Sequence, residues 1–160
     1  MHAIPSIEAD DTQRRAWRPI DAGEDFPSLI GPILERTDGA PGHYALATDD
    51  RHRNRFGLVH GGVLMTLVDR AFGAIAARAL KDAVMATVQH NHQFMRRVNV
   101  GDLVEARCEV VRTTKSLMFL SCSLLVRSEV VGTASAVFSY RDTSANRITS
   151  PERPDDHARE

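Results

Sequence analysis

The chain predicts an α+β domain in which an antiparallel sheet wraps around one long central helix. Three observations predict it. A proline-free run of small and apolar residues extends from Gly61 to Leu80, the periodicity turns from helical to alternating after it, and two short apolar runs precede it.

The helix is expected to open at Gly61-Gly62, just after a charged loop of Asp49, Asp50, Arg51, His52 and Arg53. Glycines there let a ligand approach the backbone, and the unpaired N–H groups of a helix start attract an oxygen carrying negative charge. On a wheel of about 100° per residue with Leu64 at zero, Val68, Ala71 and Ile75 fall within about 40° and form a core stripe. Asp69 lies about 140° round, beside Met65, Gly73 and Ala76. Between Gly61 and Ala77 the only charged residues are Asp69 and Arg70, so most faces of the helix are expected to be buried. A carboxylate in such company is costly unless chemistry needs it or an arginine such as Arg70 or Arg78 pairs with it.

The remaining elements follow in chain order. Residues 1–28, punctuated by Pro5, Pro19 and Pro27, read as an N-terminal extension with a short helix over about 8–17 and a linker. The domain spans 29–142, and 143–160, rich in proline and alternating charge, reads as a flexible tail. Strands are expected over 30–36 and 43–48, joined by a turn-rich segment from Thr37 to Gly42; Pro32 makes the first an edge strand or delays its start. After the helix, 84–95, 103–112, 117–127 and 130–141 read as a four-stranded antiparallel meander. Val104, Ala106, Cys108 and Val110, then Met118, Leu120, Cys122, Leu124 and Val126, form the inward sets. Gly132, Ala134 and Ala136 are small, which predicts close approach of the helix to the last strand.

Composition sets further bounds. With 160 residues, 42% of them hydrophobic, the chain makes one domain with a substantial core. A formal net charge of -1 excludes a broad basic field for nucleic acid. Cys108 and Cys122 are too few for a disulfide framework and read as small core hydrophobes in a reduced compartment. Charges near the N-terminus displace a signal sequence and no apolar run would span a bilayer, so a cytoplasmic protein with no membrane partner is expected. His90 and His92 could supply two metal ligands, yet no third stands at a telling spacing, so neither metal nor cofactor is expected.

The stretch Asn54-Arg55-Phe56-Gly57-Leu58-Val59-His60-Gly61-Gly62, followed by Thr66-Leu67-Val68-Asp69, Thr87-Val88 and Phe94-Met95-Arg96, resembles the hotdog-fold acyl-CoA thioesterases of the phenylacetate-pathway (PaaI-like) type. The resemblance runs from about Asn54 to Arg141. It implies a hotdog fold, hydrolysis of acyl-CoA to free acid and coenzyme A, and a homodimer or dimer of dimers with sites at the subunit interface. By the same resemblance, the Gly61 N–H polarises the thioester carbonyl and Asn54 holds the carbonyl or the attacking water, while Gly62 beside Gly61 is a candidate for binding the substrate or its coenzyme A. Asp69, reaching in from the partner subunit, acts as general base or nucleophile, Thr87 positions the water, and His60 orients the loop or the carbonyl. Each has a plainer reading: a loop-to-helix turn for the glycines, an ion pair for Asp69, loop fixing for His60 and a strand residue for Thr87.

Two departures from the family pattern stand out. Arg97 replaces a common proline, and with Arg96, Lys115 and Ser116 it is a candidate for binding coenzyme A, the bases meeting its phosphates. His90 and His92 are expected on one strand face with Ala86, Val88 and Phe94, where the family usually has apolar residues. Hotdog domains also serve as acyl-thioester hydratases or dehydratases, and as non-catalytic acyl-CoA-binding proteins. Asp69 behind His60-Gly61-Gly62 fits hydrolysis better.

Overall fold

The structure is a computed structural model that describes residues 16–20, 25–39, 41–81 and 83–142. Apart from Ala16 and Trp17, the helix expected over 8–17 and the tail expected over 143–160 lie outside the described residues.

The chain runs β1 (Trp17–Pro19), β2 (Leu34–Arg36), β3 (His43–Ala47), helix α1 (Gly61–Ala79), β4 (Ala83–Phe94), β5 (Leu103–Thr113), β6 (Leu117–Val126) and β7 (Glu129–Asp142). Short 3-10 helices at Phe26–Ile30 and Asp50–His52 connect the early elements. All strands join one antiparallel sheet in the order β1-β2-β3-β5-β6-β7-β4.

Three expectations are corrected. Trp17 opens a strand paired with Arg36, which makes the sheet seven-stranded. The meander is three strands, β5 to β7, because β4 crosses over and pairs with β7 at the sheet edge. Gly132, Ala134 and Ala136 are small for a different neighbour: they stand opposite Phe94, His92 and His90 of β4. A Cβ on Gly132 would meet the Gln93 carbonyl oxygen at 2.8 Å, so a larger residue would push β4 off the sheet. The late start of β2 at Leu34, after Pro32, is as the sequence predicts.

Helix α1 lies in the curve of the sheet. Leu64, Val68, Ala71 and Ile75 are buried as the wheel requires, joined by Leu67, Phe72 and Ala76. They pack against Tyr44, Leu46, Val104, Ala106, Met118, Leu120, Leu124 and Phe138, all buried. Each large side chain removed from water in this layer contributes roughly 1.5–3 kcal/mol before entropy is counted, which is why this contact organises the fold. The turn before β3 depends on Gly42, whose φ of 100° and close approach to the Cys108 carbonyl leave no room for a side chain. Cys108 and Cys122 are free, buried and directly opposite each other on β5 and β6.

Candidate active site

The start of α1 is assembled by the loop before it. His60 is the N-cap: its Nδ1 accepts the Gly62 N–H at 2.9 Å, while its carbonyl accepts the Val63 N–H. The Gly61 N–H is left without an acceptor among the described residues. The Phe94 ring lies against Gly61, where an added Cβ would stand 3.0 Å from the ring edge. One side of the helix terminus is thereby screened from water, which strengthens whatever that N–H polarises.

Asn54 organises the loop. Its Oδ1 accepts the Phe56 N–H at 2.8 Å and the Leu58 N–H at 3.2 Å, and its own N–H donates to the Leu58 carbonyl. Only the amide nitrogen of the side chain remains for a ligand. Sequence reasoning missed His52, which is 2% exposed inside the charged loop. Its Nδ1 accepts the Asp49 N–H and its Nε2 donates to the Ile30 carbonyl at 2.6 Å, while its own carbonyl accepts the His60 N–H. His52 thus ties the loop, the Phe26–Ile30 turn and the N-cap together, and nothing in its charged sequence neighbourhood signals burial.

Asp69 is not buried as expected: in a single chain its side chain is 51% exposed. Asp69 borders a cavity of about 460 Å³ together with Phe26, Met65, Gly73, Met85, Thr87, His90 and Phe138. The Thr87 hydroxyl donates to its Oδ1 at 3.2 Å, and His90 Nδ1 stands 3.9 Å from the same oxygen. Arg78 is committed to the buried Glu35, which Arg18 also contacts, so it is no partner for Asp69.

A β-bulge explains how Thr87 and His90 meet one carboxylate. The pairing of β4 with β7 slips between Thr87 and Gln89, leaving Val88 as the extra residue. Before the slip Thr87 faces Phe138, and after it His90 faces Ala136, both on the inner side of the sheet. Strict alternation would put Ala86 and Val88 on the His90 face; the slip puts Thr87, itself exposed, there instead, since its hydroxyl and His90 Nδ1 approach the same Asp69 oxygen. His90 packs edge-on against Phe72, and His92 stacks on Phe94 at 4.4 Å. Burial holds both imidazoles below their ordinary pKa; the Asp69 charge opposes this at His90, and His90 reinforces it at His92.

The candidate coenzyme A residues separate into two groups. Arg96 and Arg97 border a groove of about 1100 Å³ that also takes in Phe94, Met95, Asn99 and Arg127. Arg127 was not anticipated; it comes from the β6–β7 turn, with a φ of 49°. Lys115 and Ser116 are at the other end of the sheet, in the β5–β6 turn, where the Ser116 carbonyl accepts the Tyr140 N–H. Since Met85 pairs with Tyr140 and Phe94 with Gly132, roughly 30 Å of strand separates the two groups within one chain.

The start of α1 thus offers an unfilled N–H, and about two turns further along the same helix Asp69 borders the cavity. Among known proteins, residues 56–133 match the thioesterase superfamily. The chain is 32% identical over 124 residues to the Pseudomonas aeruginosa protein named "Putative esterase PA0474", covering 76% of this chain and 92% of that one. It is 25% identical over 113 residues to human acyl-coenzyme A thioesterase 13, covering 69% and 80%. Its fold matches that of BH2602 from Bacillus halodurans, crystallised with CoA, at a TM-score of 0.66 and 23% identity over 81% of this chain and 80% of that one. A mutant of phenylacetic acid degradation protein PaaI from Thermus thermophilus matches at a TM-score of 0.62 and 23% identity, over 72% and 97%. The chain belongs to the thioesterase superfamily, has the hotdog fold, and is a thioester hydrolase.

Proposed function

We propose that the protein hydrolyses acyl-CoA thioesters to the free acid and coenzyme A, using sites shared between two subunits. The observation that carries this reading is the Thr87–Asp69 contact in the lining of the cavity, which presents a carboxylate where an acyl group could lodge. The relative named for acyl-coenzyme A hydrolysis and the CoA in the Bacillus halodurans crystal support the choice of thioester.

Asp69 lies eight residues beyond Gly61, about 12 Å along the helix axis, and a single chain therefore cannot aim both at one carbonyl. A two-fold copy can. Strand β4 is a long edge with Val84 67% and Val88 61% exposed, which favours pairing with another strand. Antiparallel pairing of β4 with its own copy brings the Arg96 end of one subunit beside the Lys115 end of the other. In the shared site, Gly61 polarises the carbonyl and the Asn54 amide helps to hold it. Asp69 of the partner subunit takes a proton from water or attacks the carbonyl carbon, and the thiolate of coenzyme A leaves. His60 serves by capping the helix that presents Gly61. Arg96, Arg97 and Arg127 receive the phosphates.

Free thiol release from a panel of acyl-CoAs, including aryl, medium-chain and enoyl members, tests the reading. Turnover of saturated acyl-CoA supports hydrolysis. Release confined to no member, or hydration of enoyl-CoA without thiol release, overturns it.

A further inference from the structure

We propose that His90 is the positioning residue of Asp69: a neutral imidazole carrying its proton on Nδ1, it holds the carboxylate oxygen that Thr87 also holds and leaves Oδ2 for water or the acyl carbon. The inference rests on the reading of Asp69 as base or nucleophile. Nothing in the sequence pattern suggested it, because alternation places Thr87 and His90 on opposite faces of a strand.

An extra residue at Val88 costs a ladder position on the edge strand, and its effect is to aim Thr87 and His90 at one oxygen, 3.2 Å and 3.9 Å away. Bulges beside active sites commonly re-aim a side chain in this way. The His90 ring is held from behind by Phe72, edge-on at 5.7 Å, and stands opposite Ala136, so it has a fixed direction. Asp69, half exposed, is the partner free to move, and a small turn of its side chain closes 3.9 Å to hydrogen-bond length.

The site of the proton follows from the surroundings. A neutral imidazole has one N–H, and His90 Nε2 is buried with no partner among the described residues. A proton on Nε2 would be an unsatisfied buried donor, whereas on Nδ1 it faces a carboxylate. Burial disfavours the charged form of the ring, so the contact is a directional donor from a neutral imidazole rather than a salt bridge. With Thr87 and His90 both on Oδ1, the lone pairs of Oδ2 are the ones presented to the reaction.

The test compares the full-length wild type with four single variants, Asp69→Asn, His90→Leu, His90→Asn and His90→Gln, and the double variant Asp69→Asn/His90→Leu, on the best acyl-CoA of the panel, with melting temperature and mass in solution recorded on each sample. His90→Leu should lower kcat about 10- to 100-fold with KM within about twofold, the scale expected when a reacting group loses its alignment. The side-chain amide of asparagine reaches where Nδ1 stood and should recover most of that loss; glutamine, which reaches the Nε2 position, should not. Adding His90→Leu to Asp69→Asn should change kcat by less than about twofold, since the residue acts only through the carboxylate. Wild-type kcat in His90→Leu, equal activity of the asparagine and glutamine variants, or a full additional loss in the double variant would each overturn the proposal. The asparagine and glutamine comparison decides the matter even where the leucine variant does not fold. If Asp69→Asn alone turns over normally, the underlying reading of Asp69 has failed, a result distinct from a dead Asp69→Asn beside an unimpaired His90→Leu.

Discussion

Asp69 has little to do with stability in a single chain, since half its side chain is in water and its contacts are one hydroxyl and one imidazole. Asp69→Asn keeps the shape and removes the base. The expected outcome is a fall in kcat of about 10²- to 10⁴-fold, the usual worth of a positioned base, with KM little changed and melting temperature held. A folded variant with near wild-type kcat would remove Asp69 from the mechanism. A chain with a formal net charge of -1 must meet the phosphates of coenzyme A with local bases, and Arg97 borders the groove together with Arg96 and Arg127. Arg97→Ala should raise KM much more than it lowers kcat and weaken inhibition by salt; an unchanged KM would return the residue to a solvated charge.

At the scale of elements, the start of α1 and the bulge in β4 are the two devices that build the candidate site. The cap separates the two readings of His60. His60→Ala removes the acceptor for the Gly62 N–H, and loss of such a cap costs about 1 kcal/mol, or about 2–4 °C in melting temperature for a domain of this size. His60→Asn can cap and should restore the melting temperature. If the asparagine variant is as stable as wild type yet slow, His60 also touches the substrate; if stability and kcat recover together, capping is its whole role.

At the scale of the molecule, the proposed shared site rests on the exposed edge of β4 and on the spacing of about 12 Å between Gly61 and Asp69. Light scattering at micromolar concentration should give the mass of a dimer or of a dimer of dimers, and Val84→Lys with Val88→Lys on the edge should lower mass and activity together. A fully active monomer would end the shared-site reading. Stability should also depend on pH. His43, His90 and His92 are all held below their ordinary pKa, chiefly by burial. Between those lowered values and about 6.5 the unfolded chain binds more protons than the folded one. Stability is therefore full above pH ~6.5 and falls as the pH drops through that window. Melting temperatures from pH 8 down to pH 5 should be flat and then decline, and replacing His90 and His92 by Phe should shallow the decline.

The order and type of most elements, the core stripe of α1, the helix start at Gly61 and the family were legible in the sequence because they rest on local periods and on a contiguous motif. Leu64, Val68, Ala71 and Ile75 recur at helical spacing, and the inward residues of β5 and β6 alternate, so a wheel and a count of two suffice to find them. What the sequence could not decide depends on which strands pair and in what register. The crossover that puts β4 beside β7, the strand at Trp17–Pro19, the burial of His52 and the distance from Arg96 to Lys115 are all facts of non-local pairing. The bulge at Val88 is the sharpest case. One extra residue reverses which side chains face inward beyond it, and the tertiary structure alone brings Thr87 and His90 to the same oxygen of Asp69.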